Sequence, residues 1–529
     1  MPSDCISFQN SGYFTPLVVD YLDQKPELQQ LYHRFPAVEN FEKQIEEKQS
    51  QFTSSTRKIL VSALEKQYAS INSSASTQRN ISSLLDSNTF TITTGHQLNL
   101  FTGPLYFLYK IISTINLTKE LKAKYPHQNF VPVYWMATED HDFEEINYFT
   151  FRGKKIRWNT ASSGPVGRLS TEGIDAVFEV FKKEVGGGQN AEYIKKLFED
   201  TYLKHQNLAD ATRYLANELF GSNGLVILDG DDAALKQIFA PYVKEELLHQ
   251  KSYQEVQRTI AQMKPYSIQV NPREINLFYI EDNLRERIVF EKDIYKINNT
   301  SLQFSKEEIL DLLENNPQKF SPNVILRPLY QEVILPNLCY IGGGGELAYW
   351  LELKAFFDAV AVPFPILLLR NSVLLYTDKQ ASKADKLGLT WQQLFQKQSE
   401  LITAKTKEIS EFPIDLSIQK EHLSNQFHYL HVLANQTDKS FSGAVKAQEA
   451  KQIKGLEHLE KRLLKAQKRK YADELNRIVS LQNELFPNQG LQERSANFSE
   501  FYIEFGATLI EKLMDRLRPL DHEFTIVEL

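Results

Sequence analysis

A run of acidic residues around one histidine is the feature of this sequence with the clearest chemical potential. Glu139, Asp140, His141 and Asp142 follow the apolar run FVPVYWMA, and two more glutamates come just beyond them. Charged side chains are rarely buried unpaired, so core packing accounts poorly for this cluster. It could hold a substrate ammonium group, act as a general base or bind a divalent metal. The spacing matches no all-protein zinc site, which makes a metal the weaker option, and a solvated acidic turn is the remaining alternative.

A glycine-containing turn, TTGHQLNLFTGP, follows a run of β-branched residues. It precedes a helix that we predict to begin near Pro104, with Thr102 as its N-cap. Glycines let a backbone approach a ligand, and a helix N-terminus offers free N–H groups to a phosphate or carboxylate. His96 in this turn could donate to a phosphate in a transition state. An ordinary strand-to-helix loop explains the pattern equally well.

Two further clusters follow predicted strands. The first, Asp229-Gly230-Asp231-Asp232, could accept from a ribose hydroxyl, although a plain turn is an equally good interpretation. The second is a run of four glycines, Gly342 to Gly345, which favours an anion-binding nest. It also satisfies a G-x-G-x-x-A dinucleotide pattern, but no acid follows the next strand and the chain has no Walker A motif. Cys339 beside these glycines is better interpreted as a small buried thiol than as a nucleophile.

The alternation of strands and helices predicts how these clusters are positioned. The predicted strands are Phe90–Thr94, Phe130–Ala137, Gly224–Leu228, Glu332–Ile341 and Ile366–Leu369. Strand, helix, strand at this spacing is a βαβ unit, which implies a parallel sheet with right-handed crossovers. Ligands of such sheets bind at the carboxyl ends of the strands, beside the topological switch point. Because all four clusters fall at strand ends, we expect one shared site there.

The predicted fold class is α/β, a Rossmann-like parallel-sheet core with two inserts and an α-helical arm. The arm carries an imperfect heptad seam between Lys446 and Phe486, typical of an αα-hairpin or coiled coil that dimerises. Its basic run, Lys461 to Lys470, is better interpreted as a solvated helix face than as an anion contact. The predicted segments are N-terminal helices with the first half of the core (1–150), a first insert (151–215), a core strand–helix unit (216–260), a second insert (261–328), the second half of the core (329–378), the arm (379–488) and a C-terminal segment that packs back on the core (489–529).

Composition excludes several classes of function. The 529-residue chain has a net charge of −7, so no global basic field recruits nucleic acid or anionic membrane. Its longest apolar stretch, Ala359 to Leu369, is too short to span a bilayer. The N-terminus lacks the basic and apolar regions of a signal peptide, and only two cysteines are present. We therefore expect a cytoplasmic protein without nucleic-acid or membrane partners.

Six blocks of the sequence form a distinctive series along the chain: TTGHQLNLFTGPLYFLYK, VPVYWMATEDHDFEEIN, LDGDD, SPNVILRPLYQEVILP, YIGGGGELAYWLELK and LQERSANFSEF. In this order they resemble the bacillithiol biosynthesis cysteine-adding enzyme family. The resemblance covers nearly the whole chain. It implies the last step of bacillithiol synthesis, in which L-cysteine is joined to the amino group of glucosaminyl malate. It also implies a core similar to class I aminoacyl-tRNA synthetases and nucleotidylyl transferases, two connecting-peptide inserts and a coiled coil that forms a homodimer.

The resemblance is accompanied by departures that bear on mechanism. His96-Gln97 stands where family members often carry Gln-Gln, and the paired-histidine and lysine-rich signatures of class I synthetases are not intact. Lys379, Lys383 and Lys386 lie where the lysine-rich signature would fall. An amide formed in water from a free carboxylate and an amine is uphill, so we expect ATP or another activating nucleotide as cosubstrate.

Together with this chemistry, the resemblance implies three groups of site residues and no metal. The catalytic group, Glu139, Asp140, His141 and Asp142, would hold or deprotonate an amino group. The nucleotide-binding group is Thr94, Gly95, His96, Gln97, Asn99, Asp229, Asp231 and Lys383. The substrate-binding group is Arg327, Tyr340, Gly342, Gly343, Gly344, Gly345, Glu346, Tyr349, Trp350 and Arg370, in which Arg327 or Arg370 would face the malate carboxylates.

Two rival interpretations stay open at this point. One is a nucleotide-dependent transferase or NADP-binding oxidoreductase that uses the glycine run. The other is a non-catalytic coiled-coil dimer scaffold whose core only binds a ligand.

Overall fold

The computed structural model describes residues 4–529, which form two compact units. The core unit contains residues 13–375 and 491–529 together with a short N-terminal piece. The helical unit contains residues 376–490 and a second N-terminal piece, 10–12, where the sequence predicted an arm over 379–488.

The strands are β1 (Asp4–Ser7), β2 (Thr89–His96), β3 (Asn129–Met136), β4 (Tyr148–Phe151), β5 (Lys154–Arg157), β6 (Val226–Asp229), β7 (Leu277–Glu281), β8 (Leu284–Glu291), β9 (Ile294–Ile297), β10 (Gln303–Phe304), β11 (Phe320–Pro322), β12 (Asn337–Gly342), β13 (Ile366–Leu369), β14 (Val373–Tyr376) and β15 (Glu523–Glu528). The α-helices are α1 (Phe8–Ser11), α2 (Pro16–Leu22), α3 (Asn40–Gln51), α4 (Ser54–Tyr68), α5 (Ala75–Ser83), α6 (Tyr106–Lys124), α7 (Phe143–Ile146), α8 (Ile174–Val185), α9 (Gln189–Tyr202), α10 (Leu208–Phe220), α11 (Ala233–His249), α12 (Lys251–Gln262), α13 (Lys306–Asn315), α14 (Leu326–Ile334), α15 (Gly344–Leu351), α16 (Lys354–Ala359), α17 (Asp378–Lys386), α18 (Trp391–Leu394), α19 (Gln398–Ile409), α20 (Ser417–Ala434), α21 (Lys439–Lys470), α22 (Ala472–Leu485), α23 (Phe498–Phe505) and α24 (Thr508–Arg516).

The central sheet of the core unit is parallel, with strand order β13-β12-β2-β3-β6. In chain order this is the Rossmann arrangement, whose topological switch point lies between its first strand, β2, and its fourth, β12. All eight residues of β2 are buried, as expected for a strand covered on both faces. The predicted fold class is confirmed, and a ligand crevice is expected to open at this switch point.

The loop between β2 and α6 differs from the prediction. Helix α6 begins at Tyr106, and Thr102 does not cap it, because Phe101 and Thr102 adopt left-handed backbone angles with φ of 47° and 69°. Asn497 fixes this turn, since its Nδ2 donates to the carbonyls of Phe101 and Gly103 at 2.8 and 2.6 Å. The predicted N-cap was therefore wrong, and the C-terminal segment of the chain shapes this loop instead.

A second correction concerns the segment before the glycine run. The sequence predicted a strand over Glu332–Ile341, but Glu332 lies in helix α14, and strand β12 begins only at Asn337. Pro336 separates the two elements, because a residue before proline avoids the helical region.

The two inserts have different structures. The first contains the β4–β5 hairpin and helices α8 to α10. The second builds an antiparallel sheet in the order β10-β9-β8-β7-β11. The C-terminal segment returns to the core unit, where β15 lies between β1 and β14.

The helical unit contains α17 to α22. Helices α20 and α21 form an antiparallel pair, because Lys420 contacts Glu460 at 2.6 Å and His431 contacts Glu449 at 2.8 Å. The helix predicted from Lys446 to Phe486 is interrupted at Tyr471, between α21 and α22.

Candidate active site

A cavity of about 770 Å³ opens at the carboxyl end of the parallel sheet. Its walls come from the loops that follow β2, β3 and β12 and from the second insert. This is the crevice expected at the switch point of a Rossmann-like sheet. The lining residues are Gly95, His96, Gln97, Tyr106, Lys110, Trp135, Met136, Ala137, Thr138, Glu139, Asp140, His141, Gln269, Asn271, Arg273, Ile275, Leu277, Phe278, Arg285, Arg287, Pro322, Asn323, Val324, Arg327, Tyr340, Gly343, Gly344, Gly345, Glu346, Tyr349, Arg370 and Arg494.

The cavity is cationic although the chain as a whole is acidic. Seven lysine and arginine side chains line it, against three carboxylates. No carboxylate among residues 4–529 lies within ion-pair distance of four of the arginines, which are Arg273, Arg287, Arg327 and Arg494. Unpaired guanidinium groups suit carboxylate or phosphate ligands, so the cavity fits an anionic substrate.

A buried ion pair joins the glycine run to the end of β2. Lys110 is 4% exposed, and its Nζ lies 2.5 Å from Glu346 Oε2 and donates to the Gly95 carbonyl at 2.6 Å. Glu346 also accepts from the Gly343 amide at 2.8 Å and from the Tyr340 hydroxyl at 2.6 Å. Burial alone would raise the pKa of Glu346, but the charge of Lys110 and these hydrogen bonds bring it below its usual value. The Gly343 amide is thus already occupied by an ionised carboxylate.

The acidic cluster after β3 is held by ion pairs. Asp140 Oδ2 accepts from Gln97 Nε2 at 2.5 Å, and its Oδ1 lies 3.7 Å from Arg285 Nη1. Burial would raise the pKa of Asp140, but Arg285 and the hydrogen bond from Gln97 lower it, so this carboxylate stays charged. Arg285 also lies 2.7 Å from Nδ1 of His141.

Glu139 belongs to a separate buried network. Its Oε1 lies 2.6 Å from Nζ of Lys236, which also contacts Asp231 at 2.9 Å. Arg168 donates two hydrogen bonds to the Asp231 carboxylate, of 2.8 and 3.0 Å. Burial raises the pKa of Glu139, and so does the nearby Asp231, while Lys236 opposes the rise. This network ties the β3 loop to the loop after β6.

Two arginines that the sequence assigned to substrate have different surroundings. Arg370 is 3% exposed, and its Nη2 donates to Glu493 at 2.8 Å, so its charge is largely compensated. Its Nε is buried and has no hydrogen-bond partner in the described part of the chain. Arg327 donates to the Tyr349 hydroxyl at 2.8 Å and lies over the ring of Tyr340. Arg327 is therefore the better placed of the two to meet a carboxylate.

Most of the predicted site residues line one cavity. From the catalytic group these are Glu139, Asp140 and His141; from the nucleotide-binding group, Gly95, His96 and Gln97; and from the substrate-binding group, Arg327, Tyr340, Gly343, Gly344, Gly345, Glu346, Tyr349 and Arg370.

The remaining predicted residues lie outside the cavity lining. Asp142 is exposed, Thr94 donates to the Ile341 carbonyl, and Asn99 donates to the Glu145 carbonyl. Gly342 has no room for a side chain, because an added Cβ would lie 2.9 Å from Glu346 Cβ. Trp350 is fully buried against Tyr340 and Phe364. Asp229 accepts from Thr138 while Asp231 is paired with Lys236, and Lys383 lies in the helical unit beside Glu484.

Sequence reasoning missed several charged residues of the site. Lys110 carried a usable signal, since it is the one charged residue in the stretch LYFLYKIISTINL. Arg273, Arg285 and Arg287 come from the second insert, and no local pattern indicates that this insert covers the cavity. Among residues 4–529 no group of three histidine, cysteine, aspartate or glutamate side chains is arranged to hold a metal ion.

Comparison with known proteins identifies the family of this chain. Residues 1–371 match the model "Bacillithiol biosynthesis BshC, N-terminal Rossmann-like domain", and residues 373–529 match "Bacillithiol biosynthesis BshC, C-terminal coiled-coil domain". The chain belongs to the bacillithiol biosynthesis BshC family. The resemblance found in the sequence blocks is thereby confirmed, as is the combination of a Rossmann-like core with a coiled-coil domain.

Relatives in the BshC family match over the whole chain. A protein from Flavobacterium johnsoniae named "Putative cysteine ligase BshC" is 68% identical over 527 residues, covering 100% of both chains. Proteins of the same name from Cytophaga hutchinsonii and Bacillus cereus are 39% and 28% identical, each over 97% of this chain and over 96% and 98% of their own lengths. A solved structure of a "putative arginyl t-RNA synthetase" from Campylobacter jejuni aligns with a TM-score of only 0.23 at 10% identity, over 81% of this chain and 92% of that one. In the described part of the chain, no helix is long and apolar enough to cross a membrane.

Proposed function

We propose that this BshC family member is a ligase that joins the carboxyl group of L-cysteine to the amino group of glucosaminyl malate, the last step of bacillithiol biosynthesis. The observation that carries the proposal is the charge of the cavity. Four arginines without carboxylate partners line it, and glucosaminyl malate carries two carboxylates. The names of the full-length relatives support the same reaction.

The proposed binding mode places the malate carboxylates against the arginines. Arg327 has no ion-pair partner in the described chain, and its guanidinium is fixed by the Tyr349 hydroxyl at 2.8 Å. A rigidly held guanidinium can bind a carboxylate with two parallel hydrogen bonds. Positioning of the two substrates would then supply most of the rate enhancement.

An activating nucleotide, most simply ATP, is part of the proposal because amide formation from a free carboxylate needs coupling to a favourable reaction. Two features of the cavity fit a phosphate group: the excess of cationic side chains and the buried, unpartnered Nε of Arg370. The nucleotide would supply the free energy that activates the cysteine carboxyl group. The protein's own contribution is to hold both substrates and exclude water.

The glycine run gives little support to the rival NADP oxidoreductase. A dinucleotide-binding loop presents free amides and the N-terminus of a helix to a pyrophosphate. Here the Gly343 amide donates to Glu346 in the first turn of α15 and is therefore not free to bind a pyrophosphate. The polar cavity argues against the rival scaffold function. Charged side chains gathered around a cavity are typical of a functional site, and a scaffold does not need them.

We also propose that the chain forms a homodimer through α20 and α21. These helices expose large apolar side chains that a monomer would leave in water, among them Ile418, Tyr429 and Leu433 at 64%, 74% and 54% exposure. Contiguous exposed apolar surface marks interaction sites.

The decisive experiment is mass spectrometry of purified protein incubated with glucosaminyl malate and cysteine, with and without ATP. Bacillithiol should appear only when the nucleotide is present. No product with any nucleoside triphosphate would remove the main support for the ligase. A thermal-shift series with ATP, ADP, NADPH, cysteine and glucosaminyl malate tests the rivals, because a ligand that binds only the native state raises Tm. Stabilisation by NADPH alone would favour the oxidoreductase.

A further inference from the structure

Two side chains at the end of β2 that line the cavity each have a buried acceptor atom without a hydrogen-bond partner in the described chain. The atoms are Nε2 of His96 and Oε1 of Gln97, and His96 is only 7% exposed. Leaving a buried polar atom unpaired destabilises the folded state. Buried polar atoms without a hydrogen-bond partner are rare in native proteins. A donor group on a bound ligand would supply the missing partner for such an atom in a cavity wall.

The chemical identity of both atoms is fixed by their neighbours. Gln97 Nε2 faces a carboxylate oxygen of Asp140, which can only accept, so the amide oxygen is the atom left for a ligand. The ring of His96 hydrogen-bonds to the backbone of Thr102, which leaves Nε2 as the other ring nitrogen. Burial lowers the pKa of His96 well below its usual value, and the charges of Lys110 and Arg370 lower it further. The imidazole is therefore neutral, with Nε2 as an acceptor.

The two acceptors suit an N–H donor and not the nucleotide phosphate to which the sequence assigned these residues. Phosphate and carboxylate oxygens are themselves acceptors and gain nothing from a bare ring nitrogen or an amide oxygen. A substrate ammonium would be repelled by Lys110 and Arg370, the charges that face His96. A neutral primary amine offers two N–H donors without a charge, and it is also the form that attacks a carbonyl carbon.

We propose that His96 Nε2 and Gln97 Oε1 form the subsite for the attacking amine of glucosaminyl malate and bind it in its neutral form. This inference rests on the proposed ligase function and names the residues that receive the nucleophile. In the step, the amine nitrogen forms a bond to the carboxyl carbon of cysteine, which is activated as a mixed anhydride with a phosphate group. The bond from that carbon to the anhydride oxygen breaks, and the oxygen leaves with the electron pair. One proton leaves the nitrogen for solvent through the open cavity.

Isothermal titration calorimetry with glucosaminyl malate tests the subsite without turnover. Titrations in two buffers of different ionisation enthalpy, one pH unit below the pKa of the free amine, should show release of close to one proton per molecule bound. His96→Ala should bind at least ten times more weakly and release no proton. The matched control is His127→Asn, an exposed histidine outside the cavity lining, which should behave as wild type. Binding to the wild type without proton release would overturn the proposal.

Turnover separates this proposal from the proposed function. Because His96 holds the amine in the neutral form that attacks a carbonyl carbon, His96→Ala should lower kcat/KM for glucosaminyl malate at least tenfold. His96→Gln keeps an acceptor and should restore both binding and turnover, and its Tm shows whether the fold survives. Product formation by His96→Ala at the wild-type rate would overturn the subsite and leave the ligase standing. Proton release on binding with no bacillithiol formed by the wild type would support the subsite and refute the ligase.

Discussion

At the scale of single residues, Asp140 is the carboxylate on which the cavity wall depends. Its Oδ2 accepts a hydrogen bond from Gln97 Nε2 at 2.5 Å, and its Oδ1 lies 3.7 Å from Arg285 Nη1. Asp140→Asn should lower kcat/KM for glucosaminyl malate by about 10²-fold, or about 2.7 kcal/mol, because Gln97 loses its charged partner and Arg285 is left uncompensated. Steady-state kinetics measure this, with exposed Asp175→Asn as the control. Because Arg285 keeps the pKa of Asp140 below its usual value, the ratio of wild-type to variant activity should be flat from pH 6 to 9.

Unchanged turnover of Asp140→Asn would refute the catalytic importance of the acidic cluster. Loss of the folded state would show as a drop in Tm relative to Asp175→Asn, which separates a stability effect from a kinetic one.

Glu352 gives the stability of the core unit a specific pH dependence. Its Oε1 accepts from the amides of Gln269 and Val270 at 2.6 and 3.4 Å, while its Oε2 is buried and unpartnered among residues 4–529. Burial raises the pKa of Glu352 from 4.5 to about 7. Between these two values the native state holds a proton that the unfolded state has lost. The free energy of unfolding therefore falls as pH rises through this window, by at most about 1.4 kcal/mol per pH unit.

Glu352→Gln should remove this dependence, because its amide oxygen still accepts both backbone N–H groups and carries no charge. The variant should match the wild type near pH 5 and be more stable at pH 8. Urea unfolding at pH 5, 6, 7 and 8 measures the difference. A difference that does not change with pH would contradict the raised pKa of Glu352.

At the scale of elements, the C-terminal segment that follows the helical unit is hydrogen-bonded to the residues that follow strand β13 of the parallel sheet. Glu493 is fully buried, and its carboxylate accepts from Arg370 Nη2 at 2.8 Å and from the Val373 amide at 2.9 Å. Glu493→Gln should destabilise the core unit by about 3–5 kcal/mol, because it leaves the Arg370 charge buried without a counter-charge. Urea unfolding tests this against exposed Glu511→Gln, which should lie within about 0.5 kcal/mol of wild type.

A double variant shows whether charge is the cause. If Arg370→Gln in the Glu493→Gln background recovers much of the lost stability, the uncompensated guanidinium explains the effect. An additive second loss would point to packing instead.

Helices and strands could be predicted where the pattern that indicates them lies within a short stretch of neighbouring residues. Strand β13 was predicted with its observed bounds, Ile366–Leu369, because it is a short apolar run between turns. The strand ends were also sufficient to bring most of the predicted site residues to one cavity, since the carboxyl ends of parallel strands meet at one edge. Arg285 and Arg494 could not be predicted, because they reach the cavity through pairings that are distant in sequence. Asp231 lies outside the cavity lining, because a partner five residues later, Lys236, holds it in a buried ion pair.

At the scale of the whole molecule, charge is distributed unevenly. The chain has a net charge of −7, yet the cavity lining carries an excess of positive side chains. Anionic substrates are attracted to such a cavity, while a net charge well away from zero favours solubility. The positive charge of the cavity is not visible in the composition alone.

The proposed homodimer gives the last prediction. Tyr429 and Leu433 lie four residues apart on α20 and therefore share one helix face, and both are exposed. The double variant Tyr429→Glu/Leu433→Glu should convert a dimer into a monomer in sedimentation velocity at micromolar concentration, because carboxylates cannot be buried unpaired in an apolar interface. Circular dichroism should be unchanged, since neither side chain belongs to the buried cluster of Phe427, Ala434 and Val445. Val180→Glu, which places a charge on an exposed apolar position of the core unit, should stay dimeric. A wild type that sediments as a monomer would overturn the homodimer, and a dimer that survives the double variant would assign its interface to another surface.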